Sequence, residues 1–451
     1  MNPAIFREYD IRGLAEKDFD VDFAHLLGKV HGTAIYAKGG QRVTVGRDCR
    51  ATSDPYAEGV IKGLLSAGLH VYDVGVCPTP LLYFSLFHLD VDGGVMVTAS
   101  HNPAEYNGFK VCMGKETLYG AQIQNLRERM ERKEFKENPG GKRESYAIIP
   151  PYHEHLRRDV PSLARPLKVV LDAGSGVAGP VAPPVFRSLG CEVWEIACEM
   201  DGSFPIHHPD PTVPENLKLL IEKVKSEKAD IGIAYDGDAD RIGAVDEKGG
   251  ILWGDELLIL FARDILKQKP GATIISEVKC SQRLYDDIEK QGGKPIMWKA
   301  GHSLLKAKMK ETKAVLAGEM SGHMFFADRY FGYDDAIYAS LRLVELLARS
   351  NKPFSQLLSD VPKSVSTPEI RVDCPDDKKF KIAEKATEYF RSRYPVIDVD
   401  GVRVKFPEGW GLIRASNTQP ALVLRFEASS EAKLKEYRDI VESTLRDLQR
   451  T

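Results

Sequence analysis

The chain reads as an α/β protein: three related α/β units with mostly parallel sheets, followed by a smaller α+β unit. Three observations carry that expectation. Short Val- and Ile-rich runs alternate with stretches of helical apolar spacing up to about residue 350, the rhythm of doubly wound sheets. The length, 451 residues, suggests roughly three domains. After Pro353 the order changes to helix, three strands, helix, which suits an antiparallel sheet.

In the first unit, residues 5–13 place two arginines and a tyrosine ahead of a helix from Val21 to about Lys38. Then follow a strand at Arg42–Gly46, a helix at Pro55–Ala67, a strand at His70–Val74 and a helix at Thr79–His88. The apolar run Gly94–Val97 is a buried strand leading to Ser100, Asn107–Val111 is a further strand, and a charged helix runs from Gly120 to about Lys136. Pro139-Gly140-Gly141 and the polar residues beyond read as a linker. The second unit has strands at Lys168–Asp172, Cys191–Ala197 and Asp230–Tyr235, with helices at 181–189 and from Pro214 to about Lys225. The third has strands at Thr273–Val278, Pro295–Trp298 and Ala314–Ala317, helices from Asp255 and Ser281, a helix leading to Ala314, and a long amphipathic helix at Asp334–Ser350. The last unit has a helix near Lys379–Arg393, strands at Val402–Phe406, Leu412–Ala415 and Leu422–Phe426, and a terminal helix from Glu431.

Composition excludes several function classes. The 43% hydrophobic and 28% charged residues are those of an ordinary soluble protein with ample core. A formal net charge of −3 without a basic block gives no electrostatic support for nucleic-acid or membrane-surface binding. No apolar stretch is clean enough to span a bilayer, and the early Arg7, Glu8, Asp10 and Arg12 leave no signal-peptide core. Seven scattered cysteines without a Cys-x-x-Cys pair argue against a disulfide framework and for a reducing cytoplasm.

Four strings carry chemistry. Thr98-Ala99-Ser100-His101-Asn102-Pro103 sets a hydroxyl and an imidazole just past a strand's C-terminal end, where open α/β sheets place their ligand crevice. Ser100 is a candidate nucleophile; the bland alternative is a capped turn before proline. Asp236-Gly237-Asp238-Ala239-Asp240-Arg241 offers three carboxylates on alternate residues, suited to a hard cation, magnesium first. A solvated acidic turn is the rival, but three crowded carboxylates repel unless a cation neutralises them. Glu247 falls at the twelfth position of a calcium loop, but Arg241 occupies the sixth, where the sharp turn needs glycine. Gly318-Glu319-Met320-Ser321-Gly322-His323 follows a strand; if extended, it would put Glu319, Ser321 and His323 on one side, suited to sugar hydroxyls, with a polar turn as the alternative. Arg414-Ala415-Ser416-Asn417-Thr418-Gln419-Pro420 sets a guanidinium on a turn whose N–H groups can cradle phosphate, and a plain turn explains all of it except the arginine. Gly174-Ser175-Gly176-Val177-Ala178-Gly179 could pass for a dinucleotide fingerprint, but Pro180, Pro183 and Pro184 crowd the helix that would receive a pyrophosphate, so it reads as a tight strand-to-helix turn.

Together and in this order, the four strings resemble the α-D-phosphohexomutase superfamily, most of all its bacterial phosphomannomutase/phosphoglucomutase branch. Tyr9-Asp10-Ile11-Arg12-Gly13 and Lys299-Ala300-Gly301-His302 extend the resemblance over essentially the whole chain. It implies four domains, here 1–145, 146–250, 251–364 and 365–451, around a central active-site cleft, each contributing one loop. It implies that Ser100 is a phosphoserine and that Asp236, Asp238 and Asp240 hold Mg²⁺ together with a phosphate oxygen on Ser100. Glu319, Ser321 and His323 then match the sugar loop, and Arg414, Ser416, Asn417 and Thr418 the phosphate loop. Tyr9, Arg12, Lys279 and His302 line the substrate path, while His101, Lys110 and Arg241 surround the reacting phosphoryl group. The activity implied is reversible transfer of phosphate between O1 and O6 of mannose and glucose phosphates through a hexose 1,6-bisphosphate. The enzyme would be a cytoplasmic monomer whose partner is a small phosphosugar, with no nucleic acid or membrane. Met320 leans toward this branch, since glutamine is usual there in phosphoglucosamine mutases; that activity is the runner-up. A non-catalytic phosphosugar binder or a metal-dependent sugar phosphatase is the alternative of another class.

Overall fold

The computed structural model describes residues 1–417 and 419–450. Four sheets follow one another along the chain. In the first, Arg42–Arg47 lies between the parallel strands His70–Val76 and Gly93–Val97. Gly93–Val97 then pairs antiparallel with Tyr106–Met113, which pairs antiparallel with Ile11–Leu14 at the edge. The segment expected only to precede the first helix is therefore partly a strand. The second sheet has Lys168–Asp172 at its centre with parallel neighbours Glu192–Ile196 and Ile231–Tyr235; the latter turns back antiparallel into Ile242–Asp246. The third repeats this plan: Thr273–Glu277 has parallel partners Lys294–Trp298 and Leu316–Gly318, and the latter returns as Met324–Phe326. The fourth is antiparallel throughout, built on Val402–Phe406, Gly409–Ala415 and Ala421–Ala428. The architecture is α/β with mixed sheets, as expected.

One expectation is corrected. The polar residues after Gly141 are not a linker: Lys142–Ser145 forms an edge strand parallel to His70–Val76. All four residues are exposed, so no apolar alternation could betray the strand; backbone pairing to an open edge forms it.

The first three units share one continuous apolar core. Helix Thr79–His88 explains why. Its apolar residues cover every face (Leu81, Leu82, Tyr83, Phe84 and Leu86 are all buried), so it must be covered on all sides. Phe84 packs on Tyr152 of the second unit and Tyr83 on Tyr333 of the third. The fourth unit has its own core and touches the third through a small cluster of Val278, Trp410 and Leu412.

Candidate active site

Ser100 sits just past strand Gly93–Val97, as read from the sequence, and adopts a left-handed φ of +53°. Such a backbone is costly for a residue with a Cβ, so the surroundings must hold it. Ser100 Oγ donates to Asp236 Oδ2 at 2.8 Å and lies 3.1 Å from His101 Nδ1. Burial, then the nearby Arg241 and Arg12, push the His101 pKa well down.

The three aspartates lie on the tight connection between the antiparallel strands Ile231–Tyr235 and Ile242–Asp246. All are buried, and their ligand oxygens lie within 4.8 Å of one another. Asp236 Oδ1 accepts from the backbone N–H groups of Asp240 and Arg241, which fixes the turn. Thr79 Oγ1 donates to Asp238 Oδ2 at 2.6 Å, and Lys110 Nζ bridges Asp238 and Asp240 at 2.8 and 2.5 Å. Burial, reinforced by Asp240 and Asp238, drives the Asp236 carboxyl far above the usual carboxylate range. Burial alone would lower the Lys110 pKa, but Asp238, Asp240 and Asp334 raise it. Among the described residues, Asp238 Oδ1 and Asp240 Oδ1 are buried without a hydrogen-bond partner. Acceptors left bare in a crowded carboxylate cluster are what a hard divalent cation needs, so the residues fit a metal. Glu247 is engaged elsewhere, accepting from Ser355 N and Oγ, which agrees with rejecting a calcium loop.

The 319–323 segment is a tight turn rather than an extended loop: Glu319 N donates to His323 O and Gly322 N to Glu319 O. Of the extended loop and the polar turn that this string allows, the structure shows the turn. Glu319 Oε1 accepts from Gly301 N at 2.8 Å, while His323 Nε2 accepts from Arg241 Nε at 3.0 Å. Because a guanidinium only donates, the neutral His323 ring carries its proton on Nδ1, 3.3 Å from Asp334 Oδ2. Ser321, on the same turn, is half-buried.

A second neighbourhood joins three units. Tyr9 OH donates to Ala300 O at 2.7 Å and accepts from Asn417 Nδ2 at 2.6 Å. Arg414 Nε donates to Asp400 Oδ2, which also accepts from Ala300 N. Ser416 is buried on the same turn, its Oγ accepting from Gln419 N; Thr418 lies outside the described residues. Lys279 pairs with Glu369 at 3.2 Å. Arg12 donates to Asn102 Oδ1 at 2.7 Å, tying the N-terminal strand to the Ser100 loop. His302 packs on Tyr9 on one side and His323 on the other, with ring centroids 5.4 and 5.6 Å away. The two neighbourhoods thus meet there.

Sequence reasoning missed Asp334, Asp400, Thr79 and the pair Asp48–Arg50, all of which touch these loops. For the last a signal existed: Asp48-Cys49-Arg50 directly follows strand Arg42–Arg47, whose C-terminal end lies beside that of the strand leading to Ser100.

Comparison with known proteins agrees with this geometry. Family models for phosphoglucomutase/phosphomannomutase match along the chain: alpha/beta/alpha domain I at residues 3–137, domain II at 150–250, domain III at 253–365 and the C-terminal domain at 369–443. The chain is 47% identical to a phosphomannomutase/phosphoglucomutase of Pseudomonas aeruginosa PAO1 over 98% of this chain and 96% of that protein. It is 44% identical to a phosphoglucomutase of Neisseria gonorrhoeae over 96% and 94% of the two. A crystal structure of a phosphoglucomutase/phosphomannomutase family protein from Burkholderia thailandensis superposes with a TM-score of 0.93 at 44% identity, covering 100% of this chain and 98% of that one. With all four domain models matched in order and near-half identity across its length, the chain belongs to the phosphoglucomutase/phosphomannomutase family of the α-D-phosphohexomutase superfamily.

Proposed function

We propose that this chain interconverts the 1- and 6-phosphates of glucose and mannose, with phosphorylated Ser100 as carrier and the hexose 1,6-bisphosphate as intermediate. The carrying observation is Ser100 Oγ lodged 2.8 Å from Asp236 and 3.1 Å from His101, beside three buried carboxylates. Phosphoserine donates to the free hydroxyl of a hexose monophosphate: the Oγ–P bond breaks, the hexose O–P bond forms, and the hydroxyl proton leaves to His101, while Lys110, held as an ammonium by Asp238 and Asp240, contributes positive charge. The bisphosphate turns end for end, and Ser100 Oγ takes the other phosphoryl group. Mg²⁺, held by Asp236, Asp238, Asp240 and the phosphoserine, would neutralise charge on the moving group. Arg241, oriented by His323, adds a fixed positive charge there.

Reorientation requires recognition that tolerates both poses. Arg414, Ser416, Asn417 and Thr418 would take the phosphate that is not reacting, and Glu319 and Ser321 the sugar hydroxyls. Tyr9, Arg12, Lys279 and His302 would line the path. We assign the four loops to domains spanning 1–145, 146–250, 251–364 and 365–451. The chain would act as a monomer, and a reducing cytoplasm suits its seven free cysteines, most of them buried. Among the described residues no helix is long and apolar enough to cross a membrane.

The test is to supply glucose 1-phosphate or mannose 1-phosphate and follow the 6-phosphate. Free phosphate instead would indicate a phosphatase, and no product a binder; turnover of glucosamine 6-phosphate exceeding both would favour the runner-up. Ser100→Ala is expected to abolish turnover with the fold intact, and robust turnover by that variant sinks the carrier assignment.

A further inference from the structure

Ser100 holds a left-handed backbone inside a loop that contains no regular structure, and Arg50 is what surrounds it. The Arg50 side chain is 0% exposed. All five of its N–H groups are used. Nε donates to Asp48 Oδ2 at 3.1 Å; Nη1 donates to Pro103 O and Tyr106 O at 2.6 and 3.1 Å; Nη2 donates to Ser100 O and Asn102 O at 2.8 and 2.6 Å. A guanidinium has no further donor, so Arg50 has none left for substrate. Its counter-ion completes the frame. Asp48 Oδ2 accepts from Thr98 Oγ1 at 2.8 Å, and that hydroxyl oxygen accepts from Ser100 N at 2.9 Å. Ser100 is therefore held at both its N–H and its C=O by one ion pair. The second domain closes over it: the Phe204 ring lies 4.9 Å from the Arg50 guanidinium, and Cys49 Sγ donates to Ser175 O.

The glycine-rich turn that resembled a dinucleotide fingerprint belongs to the same frame. A Cβ on Gly176 would meet Gly237 O at 2.6 Å, and one on Gly237 would meet Ser100 O at 2.6 Å. Val177 N donates to Gly237 O. The turn thus backs the aspartate loop directly against the Ser100 loop. We propose that the Asp48–Arg50 pair, acting through Thr98, is the positioning device that sets Ser100 Oγ against the aspartate cluster for phosphoryl transfer. Turning four carbonyl oxygens of residues 100–106 onto one buried cation also keeps them from facing an anionic phosphoryl group. The inference rests on Ser100 being the phosphate carrier.

The test follows phosphorylation of dephosphorylated full-length enzyme by glucose 1,6-bisphosphate with Mg²⁺, read by intact mass, beside steady-state kinetics with glucose 1-phosphate. Arg50→Lys keeps the charge and loses the fork. Thr98→Val is near-isosteric and removes the hydroxyl that links Asp48 to Ser100 N. Both are expected to slow Ser100 phosphorylation and kcat by about 10- to 100-fold, as a displacement on the order of 1 Å does, with KM within about twofold. If Arg50→Lys fails to fold, Thr98→Val decides. Wild-type phosphorylation rates in a folded variant, or KM moving as much as kcat, would overturn the inference. A wild-type enzyme that takes no phosphate on Ser100 would overturn the carrier reading instead, and the clamp with it.

Discussion

Two buried arginines mark the two main seams of this molecule, and they are bonded differently. Arg50, where the first and second domains meet, satisfies every donor and faces an aspartate directly. Arg403, where the fourth domain meets the third, is equally buried and donates to Val278 O and Cys280 O at 2.7 Å, stacked 3.7 Å from the Trp410 ring. Yet among the described residues Arg403 Nε, Arg425 Nε, Trp410 Nε1 and Glu427 Oε2 at that seam are buried without partners. Each unpaired polar group raises the cost of staying closed. The first seam also lies within a core shared by three domains, whereas the second has only a small apolar cluster. The lesson is a division of labour. Arg50, which holds the Ser100 loop, has every donor satisfied, whereas the seam around Arg403 carries unpaired groups that lower the cost of opening it.

This contrast can be broken at either side. The largest effect should come from Asp238→Asn, which removes charge from the metal cluster. Turnover should fall by about 10²–10³-fold with weakened Mg²⁺ dependence, and unchanged metal titration would refute the cluster's role. Arg403→Met should cost about 2–3 kcal/mol at the fourth-domain seam. It should raise KM and proteolytic cleavage near residue 365 while kcat stays within about threefold; a fall in kcat matching that of the Arg50 variant would erase the distinction.

Glu369 offers a pH test of the same seam. The facing Lys279, followed by Arg371, holds its carboxyl down at about 2, against burial, which raises it. The unfolded value is about 4.3. Because the folded value is depressed, this stabilisation is complete above the unfolded pKa and is lost as pH falls from there towards 2. It amounts to at most about 3 kcal/mol, and Glu369→Gln should flatten that part of the stability profile in pH-dependent denaturation. The smallest effect is reserved for Tyr9→Phe, which removes the hydroxyl shared with Asn417 and Ala300. Substrate association, by stopped flow, should quicken by up to about fivefold, and a slower association would mean that this contact does not hold the cleft shut.

What the sequence disclosed follows the range of the interactions concerned. Strand Lys168–Asp172 and helix Thr79–His88 were legible to the residue because their signal is local apolar periodicity. The aspartate triad was legible because its members are two residues apart and can be satisfied together only by a cation. Lys142–Ser145 was illegible because an exposed edge strand needs no pattern. For Glu319–His323 the sequence leaves an extended loop and a polar turn both open, because alternation looks the same in either. Arg50 was overlooked because its partners lie up to 56 residues away. The Tyr9–Asn417 contact spans 408 positions, and no short window contains it.

Helix Thr79–His88 carries a consequence for how the chain is made. Tyr83 leaves the ribosome about 250 residues before Tyr333, the ring that covers it. At ordinary elongation rates this is a wait on the order of tens of seconds. During that time the apolar side chains of this helix that the later domains cover are a sticky surface on a nascent chain, and the first domain expressed alone would bear that surface permanently. The fourth domain, with its own core, closes within its own length and imposes no such delay.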